Sequence, residues 1–291
     1  MIRRSRVLPE ILTLDPERDA ARVAQLSAGI DFPWDTRRAY EIALLKTFTV
    51  PSSSRLLVAT GEFLERTAKR HDDTLAIIAT LGLAGYDSEG GKRALRIMNR
   101  AHRAYPIPAE EYRYTLALFM LEPLRWNERF GWRPLSDVEQ LAGFHFWREV
   151  GRRMAIPDLP TDLDAMRAEA DAFEARHVGY DPANRQLFDA TLLEVLGRVL
   201  PRGVASQARV LGAARRALAP LLGPRAAAAL GLPEASRGAM TAMEAALRMR
   251  GHALRLLPAR RSRVGLPKLP TYPGGVSWRD VGPEHARERT A

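Results

Sequence analysis

The chain has 291 residues, 46% of them hydrophobic, and a net charge of +10, which is ample apolar material for a large folded core and not the composition of a disordered chain. It contains no cysteine, excluding disulfides, thiolate-held iron–sulfur clusters and any cysteine-ligated haem, so an iron here must take nitrogen or oxygen ligands. The charge is uneven: residues 201–291 hold 16 basic and 5 acidic side chains, a net of +11, and the first 200 residues sit at −1.

Helix signals follow one another with few strand signals and no β-α alternation, which predicts an all-α fold. Asp15-Pro16 reads as an N-cap followed by proline at the first helical position, and Asp35 as the cap of a helix over 36–48. Pro51 precedes a helix over 54–69, and Asp72 or Asp73 caps the next segment. Gly82 to Gly85 ends that segment, and Ser88 opens a helix reaching Tyr105. Pro106 and Pro108 force a turn before an aromatic-rich helix over 109–124. Ser136 and Glu139 form a capping box for a helix to Met154. Asp162 and Asp181 begin two further helices. The alanine- and leucine-rich remainder to Leu257 is cut at Pro201, Pro220, Pro224 and Pro233.

These signals give a single large helical domain over residues 1–257 and an extended, partly ordered tail over 258–291. Residues 238–257 form a basic amphipathic helix, with Met240, Met243, Leu247, Leu254 and Leu257 on one side and Arg248 and Arg255 on another. Such a helix either packs on its own domain or makes a peripheral membrane contact. Met1 to Arg6 is basic, but no apolar run of membrane-spanning length follows it or occurs later, so a cytoplasmic or membrane-peripheral location is expected. The C-terminal charge also admits a nucleic-acid contact, but no reading motif accompanies it and no nucleic-acid partner is expected. G-x-x-x-x-G-K-S/T, G-x-G-x-x-G and G-x-S-x-G are absent from the sequence, leaving nucleotide hydrolysis and serine-esterase chemistry without support.

Of six histidines, His102 stands apart. Leu95, Met98, His102 and Tyr105 recur at spacings of three and four, while Arg93, Arg96, Arg100 and Arg103 take the other side. On the preceding helix Arg70, Thr74, Ile77, Ile78 and Leu81 make one stripe, placing a guanidinium and a hydroxyl among branched hydrocarbons, which is costly unless they are paired. Asp72, Asp73 or Glu122 could pair with Arg70, and a lone core histidine is often only structural. A cofactor bearing a metal and carboxylates would satisfy all three residues, and haem is the candidate. Glu174 and His177 have the Glu-x-x-His spacing of di-iron bundles, but it occurs once where such sites need two copies. His145 and Glu149 share a helix face, yet Phe144, Phe146 and Trp147 make that helix look like ordinary core. Phe119, Trp126, Phe130, Trp132, Phe144, Phe146 and Trp147 would also suit the walls of a greasy pocket.

Several stretches in order resemble the mpaB-type oxygenases, relatives of the bacterial latex-clearing rubber oxygenase: Asp31-Phe32-Pro33-Trp34-Asp35, Thr60-Gly61-Glu62-Phe63, Lys69-Arg70-His71-Asp72-Asp73-Thr74 and Met98-Asn99-Arg100-Ala101-His102. Phe130-Gly131-Trp132-Arg133-Pro134, Phe146-Trp147-Arg148-Glu149-Val150-Gly151-Arg152 and Tyr180-Asp181-Pro182-Ala183-Asn184-Arg185 continue the resemblance, which spans about residues 10–280. It implies a globin-like haem-binding core, haem b ligated by His102, and O2 bound opposite as co-substrate. It also implies Arg70 and Thr74 as cofactor-binding and catalytic neighbours, and oxidative cleavage of a double bond in a hydrophobic, isoprenoid-like substrate. Glu62, Glu65 and Lys69 are the nearby residues to test for a distal acid or base. The rival class is a cofactor-free binding protein for a hydrophobic small molecule on the same helices.

Overall fold

In a computed structural model, which describes residues 5–283, every regular element is a helix and no strand occurs among the described residues. In chain order these are α1 (Leu8–Ile11), α2 (Ala20–Leu26), a π-helical turn (Ser27–Asp31), α3 (Pro33–Thr47), α4 (Pro51–Ala59), α5 (Glu62–Glu65), α6 (Thr67–Ala84) and α7 (Glu89–Arg103). They are followed by α8 (Ala109–Phe130), α9 (Asp137–Arg153), α10 (Leu163–His177), α11 (Pro182–Gly197), α12 (Arg202–Ala205), α13 (Ala208–Leu222), α14 (Pro224–Ala229) and α15 (Arg237–Leu254). The expected all-α class is the one found. Residues 1–4 and 284–291, including His285 and the end of the expected tail, lie outside the described residues.

The long helix α8 is the axis of the fold. It packs most extensively on α3 and also against α9, α10 and α15, because Leu116 to Glu122 form an unbroken buried run and a helix apolar around its whole girth must be surrounded. Its first half joins α6, α7, α9 and α10 in one core cluster, and its last turns join α3, α11, α13 and α14 in another. The expected end at Leu124 is wrong: Pro123 lies inside α8, which runs on to Phe130. A proline removes one N–H from the ladder, and Asn127 Nδ2 donates to the Pro123 carbonyl at 2.9 Å.

Several caps are found where the sequence puts them. Ser88 accepts from Gly91 N, the Ser136–Glu139 capping box is complete, and Asp162 and Asp181 cap α10 and α11. Others are corrected. Asp15 caps only a turn, accepting from Glu17 N and Arg18 N at 2.9 and 2.8 Å, and α2 begins later at Ala20. The helix expected over 54–69 is divided at Gly61, whose φ of +72° favours glycine. Asp35 caps nothing. It is buried in the first turn of α3, where it accepts from Trp126 Nε1 at 3.0 Å and Arg250 Nη1 at 2.8 Å. Asp72 and Asp73 are likewise not caps but buried residues inside α6.

The basic amphipathic helix forms as α15, ending at Leu254 and not Leu257. It packs on its own domain through Leu247, the Arg250–Asp35 pair and Gly251, while Met240, Met249, Leu256 and Leu257 remain exposed. From 258 to 283 the chain is without helix, yet Leu269, Tyr272 and Val281 are buried against the core.

Candidate functional site

The helices α6 and α7 form an antiparallel hairpin whose turn is tight enough to require glycine at 91. A Cβ there would stand 2.1 Å from the Gly85 carbonyl oxygen. Arg70 and Thr74 near the start of α6, and His102 near the end of α7, lie at matching distances from this turn. Equal rise along both helices therefore brings them to one level. All three line a cavity of about 230 Å3 with Ile77, Phe119 and Trp147, so the structure gathers the three residues that the two stripes singled out.

The groups in this cavity are short of partners. His102 packs edge-on against Tyr112, with centroids 5.4 Å apart. Its Nδ1 is buried without a hydrogen-bond partner. Burial, reinforced by the positive charge of Arg70, brings the imidazole down to about 4. The ring is therefore neutral at pH 7 and keeps a lone pair. The Arg70 guanidinium lies over the Phe63 ring, 5.2 Å from its centroid. Burial also lowers its pKa, against the pull of Asp73, Glu62 and Tyr105, but a guanidinium stays charged at neutral pH. Thr74 donates to the Arg70 carbonyl at 3.0 Å.

The acids that could have paired with Arg70 are engaged elsewhere. Asp72 accepts from Arg198 at 2.7 Å and from Thr271 N at 2.9 Å. Burial would raise its pKa, but His71, Thr271 and Arg198 around it outweigh that and hold the carboxyl well below the usual range. Asp73 takes Lys69 at 2.7 Å, Gly282 N at 3.0 Å and the Tyr272 hydroxyl. Glu122 takes Lys46 and Arg125, each at 2.7 Å. Among the described residues, Arg70 has no ion pair.

Of the three neighbours considered for acid–base work, Glu62 lines the cavity and pairs with Arg66 at 2.9 Å. Lys69 faces the C-terminal segment, donating also to the Asp280 carbonyl at 2.7 Å. Glu65 is exposed. The two metal-like spacings are committed otherwise: Glu149 pairs with Arg152 and Arg153, and His177 lies 3.6 Å from Glu110. Among the aromatics, Phe119 and Trp147 line the cavity and stack at 5.4 Å. Sequence reasoning missed Gly282 and Pro283, which complete the wall. Their only local signal is the Pro-Gly-rich end of a segment read as tail.

Comparison with known proteins agrees with the resemblance. The family described as "ER-bound oxygenase mpaB/B'/Rubber oxygenase, catalytic domain" matches residues 42–255, which hold His102, Arg70 and Thr74. The chain is 31% identical over 208 residues to the ER-bound oxygenase mpaB' of Penicillium brevicompactum, covering 63% of this chain and 48% of that one. It is also 31% identical over 207 residues to the ER-bound oxygenase mpaB of Penicillium roqueforti (strain FM164), covering 63% and 68%. The match thus spans about half the length of the first relative and two-thirds of the second. With most of its length matched, the chain belongs to the mpaB/rubber oxygenase catalytic-domain family.

Proposed function

We propose that the protein is a haem-dependent oxygenase that oxidises or cleaves a double bond in a hydrophobic, isoprenoid-like substrate, with haem b held by His102 and O2 as co-substrate. The observation that carries this reading is the unmet demand of Arg70 and His102. A charged guanidinium and a neutral imidazole line one largely apolar cavity, and neither has a hydrogen-bond or ion-pair partner for its side chain among the described residues. A metal with anionic carboxylates beside it answers both, so the donor set fits haem.

When bound, haem would supply the activation of O2. The chain's own residues do the rest. His102 would hold the iron through its lone pair, and Arg70 would hold a propionate through charge-assisted hydrogen bonds. Thr74 directs its hydroxyl proton to the Arg70 carbonyl at 3.0 Å, and in this reading Thr74 and Arg70 are also the catalytic residues. Ile77, Phe119 and Trp147 exclude water from the reacting alkene. In this reading α6, α7 and α8 are the globin-like core. No helix among the described residues is long and apolar enough to cross a membrane. The exposed Met249, Leu256 and Leu257 beside Arg248 and Arg255 support a peripheral membrane contact through residues 238–257.

The largely apolar cavity lining also supports the second reading, a cofactor-free carrier of a hydrophobic molecule. Absorption spectroscopy decides between them. Purified protein mixed with haemin is expected to show a Soret band, and His102→Ala is expected to lose it while its circular dichroism stays helical. A variant with an unchanged Soret band would overturn the ligand assignment, and wild-type protein that takes no haemin would favour the carrier.

A further inference from the structure

A second and larger cavity, about 430 Å3, lies on the other side of a wall formed by Leu44, Thr74, Ile78 and Phe119, residues that line both spaces. Its volume falls within the roughly 300–1,000 Å3 of ordinary ligand pockets. On α6 the stripe Thr74, Ile78, Gly82 runs along it at intervals of one helical turn. The lining there is hydrocarbon and aromatic, with Trp34, Tyr40 and Leu254 among its members.

The exposed charged groups lining this second cavity are arginines, Arg37 and Arg260. Its acids are buried and each meets an arginine: Asp31 shares Arg133 with Glu139, at 2.6 and 2.7 Å, and Asp35 meets Arg250 at 2.8 Å. Exposed Arg37 shares the single carboxylate of Glu41 with Arg38, at 3.2 and 2.5 Å. Exposed Arg260 has no acidic partner among the described residues. An apolar chamber with surplus arginine charge among its exposed lining residues suits one ligand chemistry, a hydrocarbon chain ending in an anion.

We infer that the second cavity binds the chain of an anionic amphiphile, with the anionic end at Arg260 and Arg37 and the chain directed toward the Leu44–Thr74–Ile78–Phe119 wall. As a statement about substrate class it rests on the oxygenase reading of the His102 site; as a binding site it stands on its own cavity. Phe119 then fixes how far the chain advances toward His102.

Gly82 supplies the test, because a Cβ at this cavity-lining position meets no atom within 4 Å and a larger side chain can enter the space without displacing backbone. The probe is cis-parinaric acid, a polyene fatty acid whose fluorescence rises in an apolar site, titrated below its micelle concentration into protein without haemin. Wild type is expected to bind it, Gly82→Phe to weaken binding about tenfold or more, and Arg260→Glu to weaken the acid about tenfold but not the corresponding alcohol. Parinarate binding unaffected by Gly82→Phe, or acid and alcohol weakened alike by Arg260→Glu, would overturn the assignment. The haemin Soret band, recorded on the same proteins, separates the two readings. Wild type that takes parinarate but no haemin supports this cavity and removes the haem-dependent reading of the His102 site, and the reverse result does the opposite.

Discussion

Tyr272, on the segment that follows the last helix, donates its phenol to Oδ1 of Asp73, the immediate neighbour of Thr74 on α6. Lys69 joins them, bridging Asp73 to the Asp280 carbonyl. A segment without helix is thereby fastened to the helix that carries the site, and Gly282 and Pro283 reach the cavity wall because of it.

Removing the phenol is expected to loosen that fastening. Tyr272→Phe should cost about 2 kcal/mol of stability, the typical worth of a hydrogen bond to a charged group. Asp73→Ala should cost about 3 kcal/mol, since it leaves the Gly282 amide without its acceptor and takes the carboxylate from Lys69 and the Tyr272 phenol at once. Urea unfolding gives the totals, and hydrogen exchange over residues 269–283 should rise in both variants. Unchanged exchange there would mean that burial of Leu269 and Val281 alone holds the segment.

Arg70 has the opposite sign. In protein without ligand it is a largely desolvated charge with no ion pair, so Arg70→Met is expected to leave stability unchanged or raise it by about 1 kcal/mol. Haemin affinity should fall about tenfold or more in the same variant, as a charge-assisted contact is lost. Thermal melts and haemin titration measure the two effects separately. A large loss of stability would show that the guanidinium is structural.

Acid should weaken the joint between the π-helical turn and α9. Burial would raise the Glu139 pKa, but hydrogen bonds from Arg133, Ser27 and the Ser136 backbone outweigh it and lower the carboxyl below its ordinary 4.5. A depressed folded-state pKa gives stability that is fully present above the unfolded value and lost as pH falls through the folded one. The urea midpoint of wild type should therefore drop more steeply than that of Glu139→Gln as pH falls below the ordinary carboxylate range. Parallel slopes would remove Glu139 from the acid response.

Gly91→Ala tests the hairpin. With the new methyl placed 2.1 Å from a backbone oxygen, α6 and α7 must part, at a cost of about 3 kcal/mol. Haemin binding should fall with it, because His102 and Arg70 lose their common level. Gly143, inside α9, where a Cβ meets nothing within 4 Å, is the control position, and Gly143→Ala should be more stable than wild type by about 1 kcal/mol, the ordinary gain of alanine over glycine in a helix interior.

The fold class and the three cavity residues were legible because both rest on local periodicity. Apolar spacing reports which face of a helix is buried, whatever it is buried against. The caps at Ser88, Ser136, Asp162 and Asp181 were legible for the same reason, since each partner lies within three residues. Asp35, Asp72 and Asp73 were misread because an acid near a helix start carries one local meaning, while their actual partners are Arg250, Arg198 and Tyr272, far along the chain. The second cavity was hidden altogether: it is bounded by segments as distant in sequence as Trp34 and Val264, and no spacing rule relates them.

The four side chains common to both cavities make the two spaces thermodynamically interdependent. An occupant that pushes Phe119 or Ile78 aside on one flank reshapes the room on the other. Linkage then requires that whatever factor the first guest imposes on the affinity of the second be returned unchanged.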